Sequence, residues 1–322
     1  MEFISLMKPS ETKKNIINIV NDYSQEFGIA PQFVEKDYYV VKVLSEICKI
    51  NYPDLKIVFS GGTCLSKAYH KIQRFSEDID FRIHTERPFT RAEKKAFCNF
   101  ILEALDNKEC YHIIPESIKK GNENNFFSFE IEYEKLYEGS NLRPNIKAEF
   151  TFENLLLPST TCEISSFIGQ FINEEPSSVN CIQPIEVIAN KFSALMWRVY
   201  IKDRTKPLHT KENDPTIVRH LHDIAALEDL LYKKEFVELL QKSFDTDKGR
   251  GGFDNNFTLP EFIKIALDKL TKDKIYQKEY ADFVSSMSYA KDSEVITFEK
   301  ALVGFKNLYQ FILANCNKAN FF

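Results

Sequence analysis

The chain has 322 residues, 43% hydrophobic and 28% charged, which suits one large globular domain or, more readily, two. A formal net charge of −5 does not advertise a nucleic-acid binder, and seven scattered cysteines without C-x-x-C spacing argue against a disulfide framework or zinc site and fit a reducing cytoplasm. No apolar run approaches the roughly 18 residues a membrane helix needs, and the N-terminal stretch has no long apolar core, so membrane spanning and secretion are both disfavoured. In chain order, residues 11–27 and 32–50 read as amphipathic helices. In the second, Phe33, Tyr38, Val41, Leu44 and Ile47 recur at helical spacing behind Pro31. Its Lys36 and Asp37 read mainly as a surface or interdomain polar pair, a direct role at a bound nucleotide being the alternative. Ile57-Val58-Phe59 is a short strand after the turn-like Asn51–Asp54; Gly61-Gly62 follows, then helical composition over 63–71, then a strand carrying Asp78 and Asp80. Thr90 to Leu105 is a helix whose Thr90 and Glu93 form a capping box.

The period then changes to two. Residues 111–114, 127–133 and 145–152 are strands, with Gly139-Ser140-Asn141 and Pro144 punctuating the last connection. This succession predicts a mixed sheet extended largely by antiparallel pairing. From about Cys181 the chain is helical: Pro184 opens a helix to Tyr200, a polar loop runs from Asp203 to Asp214, and the next helix holds Val218 to Leu227. Helices over 234–248, 259–271, 274–289 and 296–315 complete it, with Phe253–Asn256 as a turn. The expected division is a mixed α/β domain over 1–180 and a helical domain over 181–322.

Chemistry concentrates between Phe59 and Phe81. A Gly-Gly pair allows positive φ and close backbone approach, and a helix N-terminus behind it favours an anion such as phosphate. Asp78 and Asp80, two apart on a strand, point to one side, while Ile79 and Phe81 point to the other. Alone, a Gly-Gly pair is commonly just a turn and a D-x-D a solvated strand end. In this order they describe a phosphate cradle beside a carboxylate pair for Mg²⁺, the equipment of phosphoryl or nucleotidyl transfer. G-x-x-x-x-G-K-[ST], H-R-D with D-F-G, and G-x-S-x-G are all missing from the sequence, which removes P-loop, kinase and serine-hydrolase readings.

Ser60-Gly61-Gly62-Thr63 followed by Ser76-Glu77-Asp78-Ile79-Asp80-Phe81 resembles the signature of the DNA polymerase beta-type nucleotidyltransferase superfamily. The whole stretch GGTCLSKAYHKIQRFSEDIDF resembles its AbiEii/MenT branch, toxins of bacterial toxin–antitoxin and abortive-infection systems. Fifteen residues between Gly62 and Asp78, and the ending Arg74-x-Ser76-x-Asp78-x-Asp80, point to that branch. The resemblance implies an α+β chain: a polymerase-beta-like domain with a mixed sheet flanked by helices, then an all-helical domain. It also implies a third acid beside Asp78 and Asp80 on a neighbouring strand. Glu149 in IKAEFTF suits it, with Glu153, Glu130 and Glu132 as competitors.

Two further motifs fall in the helical half. Glu186–Arg198 resembles the family's third motif, whose lysine contacts nucleotide phosphates; that is Lys191 here, with Arg198 seven residues on along the same face. Arg219–Ile224 resembles the R-D-x-x-D-[IL] segment with His220 in place of the first Asp, which makes Asp223 a candidate base or acceptor-orienting group that the helical half contributes to the cleft with Lys191. His220 and His222 diverge on a helix and do not read as a metal pair. By the same resemblance, Ser60, Gly61, Gly62 and Thr63 cradle an NTP, Mg²⁺ or Mn²⁺ sits on Asp78, Asp80 and Glu149, and Lys191 neutralises phosphate charge. The implied acceptor is RNA, at the tRNA 3′ end, and the implied partner a cognate antitoxin. Seven Lys/Arg against three acids over 191–219 give a local excess of +4, readable as an RNA footprint or as a solvated helix end and loop. A protein acceptor that is nucleotidylated or phosphorylated, and a non-enzymatic nucleotide- or partner-binding module, are the rival functions.

Overall fold

The computed structural model describes residues 9–106, 110–138, 142–248 and 256–319; the turns expected at Gly139–Asn141 and Phe253–Asn255 lie outside them. The chain forms two compact units. One takes Met1–Tyr69 and Phe75–Ile182, the other His70–Arg74 and Gln183–Phe322.

The first unit runs α1 (Pro9–Phe27), α2 (Pro31–Cys48), β1 (Leu55–Ser60), α3 (Gly61–Lys67), β2 (Asp78–Thr85), α4 (Arg91–Leu105), β3 (Tyr111–Gly121), β4 (Phe126–Tyr133), β5 (Ile146–Phe152), β6 (Thr160–Ile164), α5 (Phe167–Phe171) and β7 (Ser177–Cys181). Its seven strands lie in the order β3-β4-β5-β2-β1-β7-β6. The β2–β5 and β1–β7 pairs are parallel and the other four antiparallel, the expected mixed sheet.

Period-two alternation decides what this sheet does with its two faces. Phe59, Phe81, Phe150 and Phe127 are register partners in turn across β1, β2, β5 and β4. Their rings stand 6.2, 4.9 and 4.5 Å apart in that sequence, and all four are buried. Such ring pairs each contribute about 0.5–1.5 kcal/mol beyond the area they bury. This ladder locks the register of the four central strands, because a one-residue slip would turn every ring to the opposite face.

Several local expectations are corrected. α3 begins at Gly61 and stops at Lys67 rather than covering 63–71; His70 takes φ 50, outside helical space, and residues 70–74 pack in the other unit. β3 continues to Gly121, past a register shift between Ile114 and Lys119 that hides its polar second half from pattern reading. β6, α5 and β7 are unforeseen: Thr160-Thr161-Cys162 and Ser177-Ser178 carry little apolar signal, and the β6–β7 pair forms the sheet's edge. α4 has the capping box the sequence announces.

α2 departs most from expectation. It is covered nearly all round, packing on α1, α4, α5, β1 and β7, and Val34, Tyr39, Val40 and Val43 are buried along with the expected stripe residues Val41, Leu44 and Ile47. Its Glu35, Lys36 and Asp37 are buried too. Lys36 and Asp37 are therefore not a surface or interdomain pair; each has its own partner inside the first unit, as described below.

In the second unit, α6 (Pro184–Tyr200) packs on α7 (Val218–Ala226), α8 (Lys234–Lys248) and α9 (Leu259–Lys272); α10 (Ile275–Met287) and α11 (Phe298–Ala319) complete it. Phe192 of α6 stacks on Phe305 of α11 at 4.8 Å, and its ring also meets Phe236 of α8. Among the described residues no helix is long and apolar enough to cross a membrane, and the seven cysteines are unpaired thiols.

Candidate active site

One residue along each strand from the phenylalanine ladder lies a polar row. Ser60, Asp80, Glu149 and Ser128 are register partners across the same four strands, and alternation turns them to the face opposite the rings. The sheet that buries Phe59, Phe81, Phe150 and Phe127 therefore presents two carboxylates and two hydroxyls as a necessary consequence. Asp78, two residues before Asp80, faces the same way and lies opposite Lys147. The register selects among the candidate third acids. Glu149 is opposite Asp80; Glu153 lies beyond β5 and pairs with Arg82; Glu132 pairs with His112 toward the sheet's β3 edge; Glu130 accepts a hydrogen bond from Asn145.

The glycine pair divides its labour. Gly61 takes φ +76, and a Cβ there would stand 2.7 Å from Cγ and 2.9 Å from Cβ of Asp80. Only glycine permits both the left-handed backbone and the approach of that carboxylate. Gly62 lies in the first turn of α3 without positive φ. Ser60 precedes the helix in extended conformation and its hydroxyl makes no capping bond, whereas the Thr63 hydroxyl donates to the Asp78 carbonyl and ties α3 to β2. The N–H groups of the first helical turn are those a helix leaves without intrahelical partners. α3 has seven residues, so anion attraction here rests on those local N–H groups more than on a long dipole.

The carboxylates of this face are matched by the chain's own cations. Arg143 Nη1 lies 2.8 Å from Asp78 Oδ1, and Lys147 pairs with Glu149 on its own strand. Both pairs are partly exposed, Arg143 at 51% against Asp78 at 18% and Lys147 at 30% against Glu149 at 27%, so water screens each of them in part. Among the described residues, no group of three or more His, Cys, Asp and Glu is gathered tightly enough to hold a metal ion as the side chains stand. The donor set nonetheless fits a hard divalent cation: three carboxylates on adjacent strands, two of them already seeking positive charge.

α2 supplies a clamp that pattern reading missed. Lys36 Nζ donates to Glu77 Oε1 at 2.7 Å and to the Arg143 carbonyl at 2.6 Å, and Glu77 Oε1 accepts from the Arg143 N–H at 2.6 Å. Burial lowers the Lys36 pKa, with Glu77 opposing the shift. Asp37 pairs with Lys67 at the end of α3 and accepts from the Phe167 N–H at 2.7 Å; burial raises its pKa against the pull of Lys67. Glu35 accepts from the Leu136 N–H at 2.6 Å. The available signal was three charges in succession inside Val34–Val41, a stretch otherwise apolar or aromatic.

In the helical unit, Lys191 of α6 and Asp223 of α7 do come together. Asp223 is 0% exposed, takes a two-pronged contact from Arg74 Nε and Nη2 at 2.7 Å each, and lies 2.9 Å from Lys191 Nζ. Burial pushes its carboxyl pKa up, but Arg74 and Lys191 outweigh that and hold it well below the usual range. Such a group is a poor proton acceptor and a good anchor for two cations. Burial lowers the Lys191 pKa, partly offset by Asp223. His220, half-buried, is pushed well below its ordinary value by desolvation, with Lys191 and Arg219 adding to it, and is neutral.

The basic segment following Lys191 is largely turned to internal use. Lys202 pairs with Glu279, Arg204 with Asp273 and Glu279, and Arg198 donates to the Lys211 carbonyl while both cations lie over Trp197.

A family model described as "Nucleotidyl transferase AbiEii toxin, Type IV TA system" matches residues 44–303. No curated protein is similar enough to match. Among solved structures, MenT4, a nucleotidyltransferase toxin from Mycobacterium tuberculosis H37Rv, covers 91% of this chain with 89% of its own, at a TM-score of 0.58 and 13% identity. At that identity the likeness is one of fold. The matched span contains the polar row, Gly61, Asp78, Lys191 and Asp223, and the chain belongs to the AbiEii nucleotidyltransferase toxin family of type IV toxin–antitoxin systems.

Proposed function

We propose that the protein is a metal-dependent nucleotidyltransferase that moves an NMP from an NTP to an acceptor hydroxyl of RNA, at the tRNA 3′ end, as the toxin of a toxin–antitoxin pair. The observation that carries the reading is the polar row Ser60–Asp80–Glu149–Ser128, set against a glycine that admits the Asp80 carboxylate. Asp78, Asp80 and Glu149 hold Mg²⁺ or Mn²⁺, which when bound supplies Lewis-acid charge to phosphoryl oxygens. The Ser60 hydroxyl and the N–H groups of Gly61, Gly62 and Thr63 hold the outer phosphates. Lys191, oriented by Asp223, adds a cation for the triphosphate. The acceptor hydroxyl releases its proton to solvent as its oxygen bonds to the α-phosphorus, the bond from that phosphorus to the α–β bridging oxygen breaks and pyrophosphate leaves, so the residues act mainly by positioning and by fixed charge. With NTP and tRNA as substrates the protein works in the cytoplasm, and the family's system supplies a cognate antitoxin as its partner.

A second acceptor, a protein side chain, is favoured by one observation: much of the positive charge over 191–219 is engaged inside the helical unit rather than displayed. Transfer of label from each of the four α-³²P-NTPs to total tRNA with Mg²⁺, comparing wild type with Asp80→Ala, separates the readings. Label on tRNA that vanishes in the variant is the expected result and names the nucleotide. Label confined to protein moves the acceptor, and no label in any lane brings a non-enzymatic binding role to the front.

A further inference from the structure

The charged triplet of α2 has no place in the chemistry above, and Lys36 precedes the span that the family model matches. Its partners lead back to the same face. Lys36 and Glu77 hold the backbone of Arg143 from both sides, through its carbonyl at 2.6 Å and its N–H at 2.6 Å. Residues 136–138, just after β4, are held by Glu35 on the Leu136 N–H, by Gln32 on the Glu138 carbonyl at 3.0 Å, and by Tyr137 on Asn21 at 2.9 Å. Taking Lys36 and Glu77 out of water is costly, and a solvent-side loop needs no such anchoring for stability alone. What the anchoring achieves is a fixed base for a long exposed arm. The arm ends on Asp78 in a contact too exposed to hold it firmly.

We propose that Arg143 is a phosphate-binding residue of the nucleotide site, and that Lys36 and Glu77 are positioning residues that aim it. The inference rests on the nucleotidyltransferase reading above. In the structure the guanidinium neutralises Asp78. With Asp78 engaged by a divalent cation, the guanidinium would lose its partner and, still pinned at its backbone, would turn to the incoming phosphate oxygens. A guanidinium suits this role because its planar fork donates two parallel hydrogen bonds to one phosphate, and it stays charged at any working pH.

The test is nucleotide binding by the full chain, read without turnover by titrating fluorescent mant derivatives of the four NTPs in the presence of Ca²⁺. Arg143→Ala weakens NTP binding about tenfold or more, as expected for loss of a charge-assisted hydrogen bond. Arg143→Lys recovers part of it, and the loss shrinks when the matching mant-NMP is titrated. Glu77→Gln, which keeps the side-chain shape, weakens NTP binding several-fold in the wild-type background and has no further effect in Arg143→Ala, because it acts through the arginine. Lys36→Met gives the same pattern if it folds; Glu77→Gln carries the test if it does not. NTP binding unchanged in Arg143→Ala, beside a wild type that binds, overturns this inference and leaves the nucleotide site standing. A wild type that binds none of the four overturns the site and the inference together.

Discussion

Two carboxylate–cation clusters in this protein use the same residue types in opposite ways. On the sheet, Asp78 and Glu149 meet Arg143 and Lys147 at a partly exposed face, where water reaches both pairs. In the helical unit, Asp223 is sealed from solvent between Arg74 and Lys191, and its pKa is driven far down. A surface pair exchanges partners readily because water screens what is lost; a buried set does not, because each charge left alone keeps its full desolvation cost. The first cluster suits an arriving cation and substrate. The second suits an immovable mount for Lys191.

The comparison breaks most visibly at Asp223. Asp223→Ala leaves two buried cations without their anion and is expected to cost about 3–5 kcal/mol, measured by urea unfolding of the full chain. The wild-type contribution has a defined sign. The folded carboxyl pKa is depressed, so this stability is complete above the unfolded value of about 3.9 and is lost as pH falls below it toward the folded value. If Asp223→Ala proves as stable as wild type, the buried set is not the mount described here.

On the sheet the same kind of change is expected to move activity instead. Glu149→Gln should lower nucleotidyl transfer by about 10²–10³-fold, the scale of losing one fixed electrostatic group, with unfolding little changed. Glu153→Gln, which removes only the partner of Arg82 beyond β5, should alter both by little. The reverse ranking would move the third acid from Glu149 to Glu153. Gly61→Ala tests the junction between backbone and carboxylate. The left-handed φ alone costs about 1–2 kcal/mol, and Asp80 must also move off the new Cβ, so stability and transfer should fall together.

The smallest effect expected is at His220. Burial, with Lys191 and Arg219 adding to it, depresses the folded pKa, so the unfolded chain binds the extra proton below about 6.5. Stability from this site is therefore lost as pH falls from about 6.5 toward the folded value, and His220→Gln should flatten the melting temperature between about pH 7 and pH 5. A variant whose acid slope matches wild type would show that His220 ionises freely in the folded state.

Much of the architecture was legible in the chain because it is written in local periods and local chemistry. Alternation in Phe127–Tyr133 marked β4, Thr90 with Glu93 announced the start of α4, and Pro184 opened α6. Asp78 and Asp80 could be placed on one face from spacing alone, and the Gly61-Gly62 pair stood out in a chain with only ten glycines. The edge strand β6 and its neighbour β7 escaped, since Thr160, Thr161, Ser177 and Ser178 carry no apolar period. The second half of β3 escaped because a register shift interrupts its pattern.

What spacing could not decide was partnership across the chain. The resemblance preferred Glu149 to Glu153, Glu130 and Glu132, but spacing did not separate them; the register of the phenylalanine ladder puts Glu149 opposite Asp80. Lys36 looked like a solvated helix charge until folding brought Glu77 and Arg143 to it from 41 and 107 residues away. Asp223 reads as a possible base in a motif, yet Arg74, 149 residues earlier, makes it an anchored anion. Local periodicity survives in the sequence because neighbours along the chain create it. Burial, charge pairing and pKa depend on groups remote in the chain, so the tertiary structure alone assigns them.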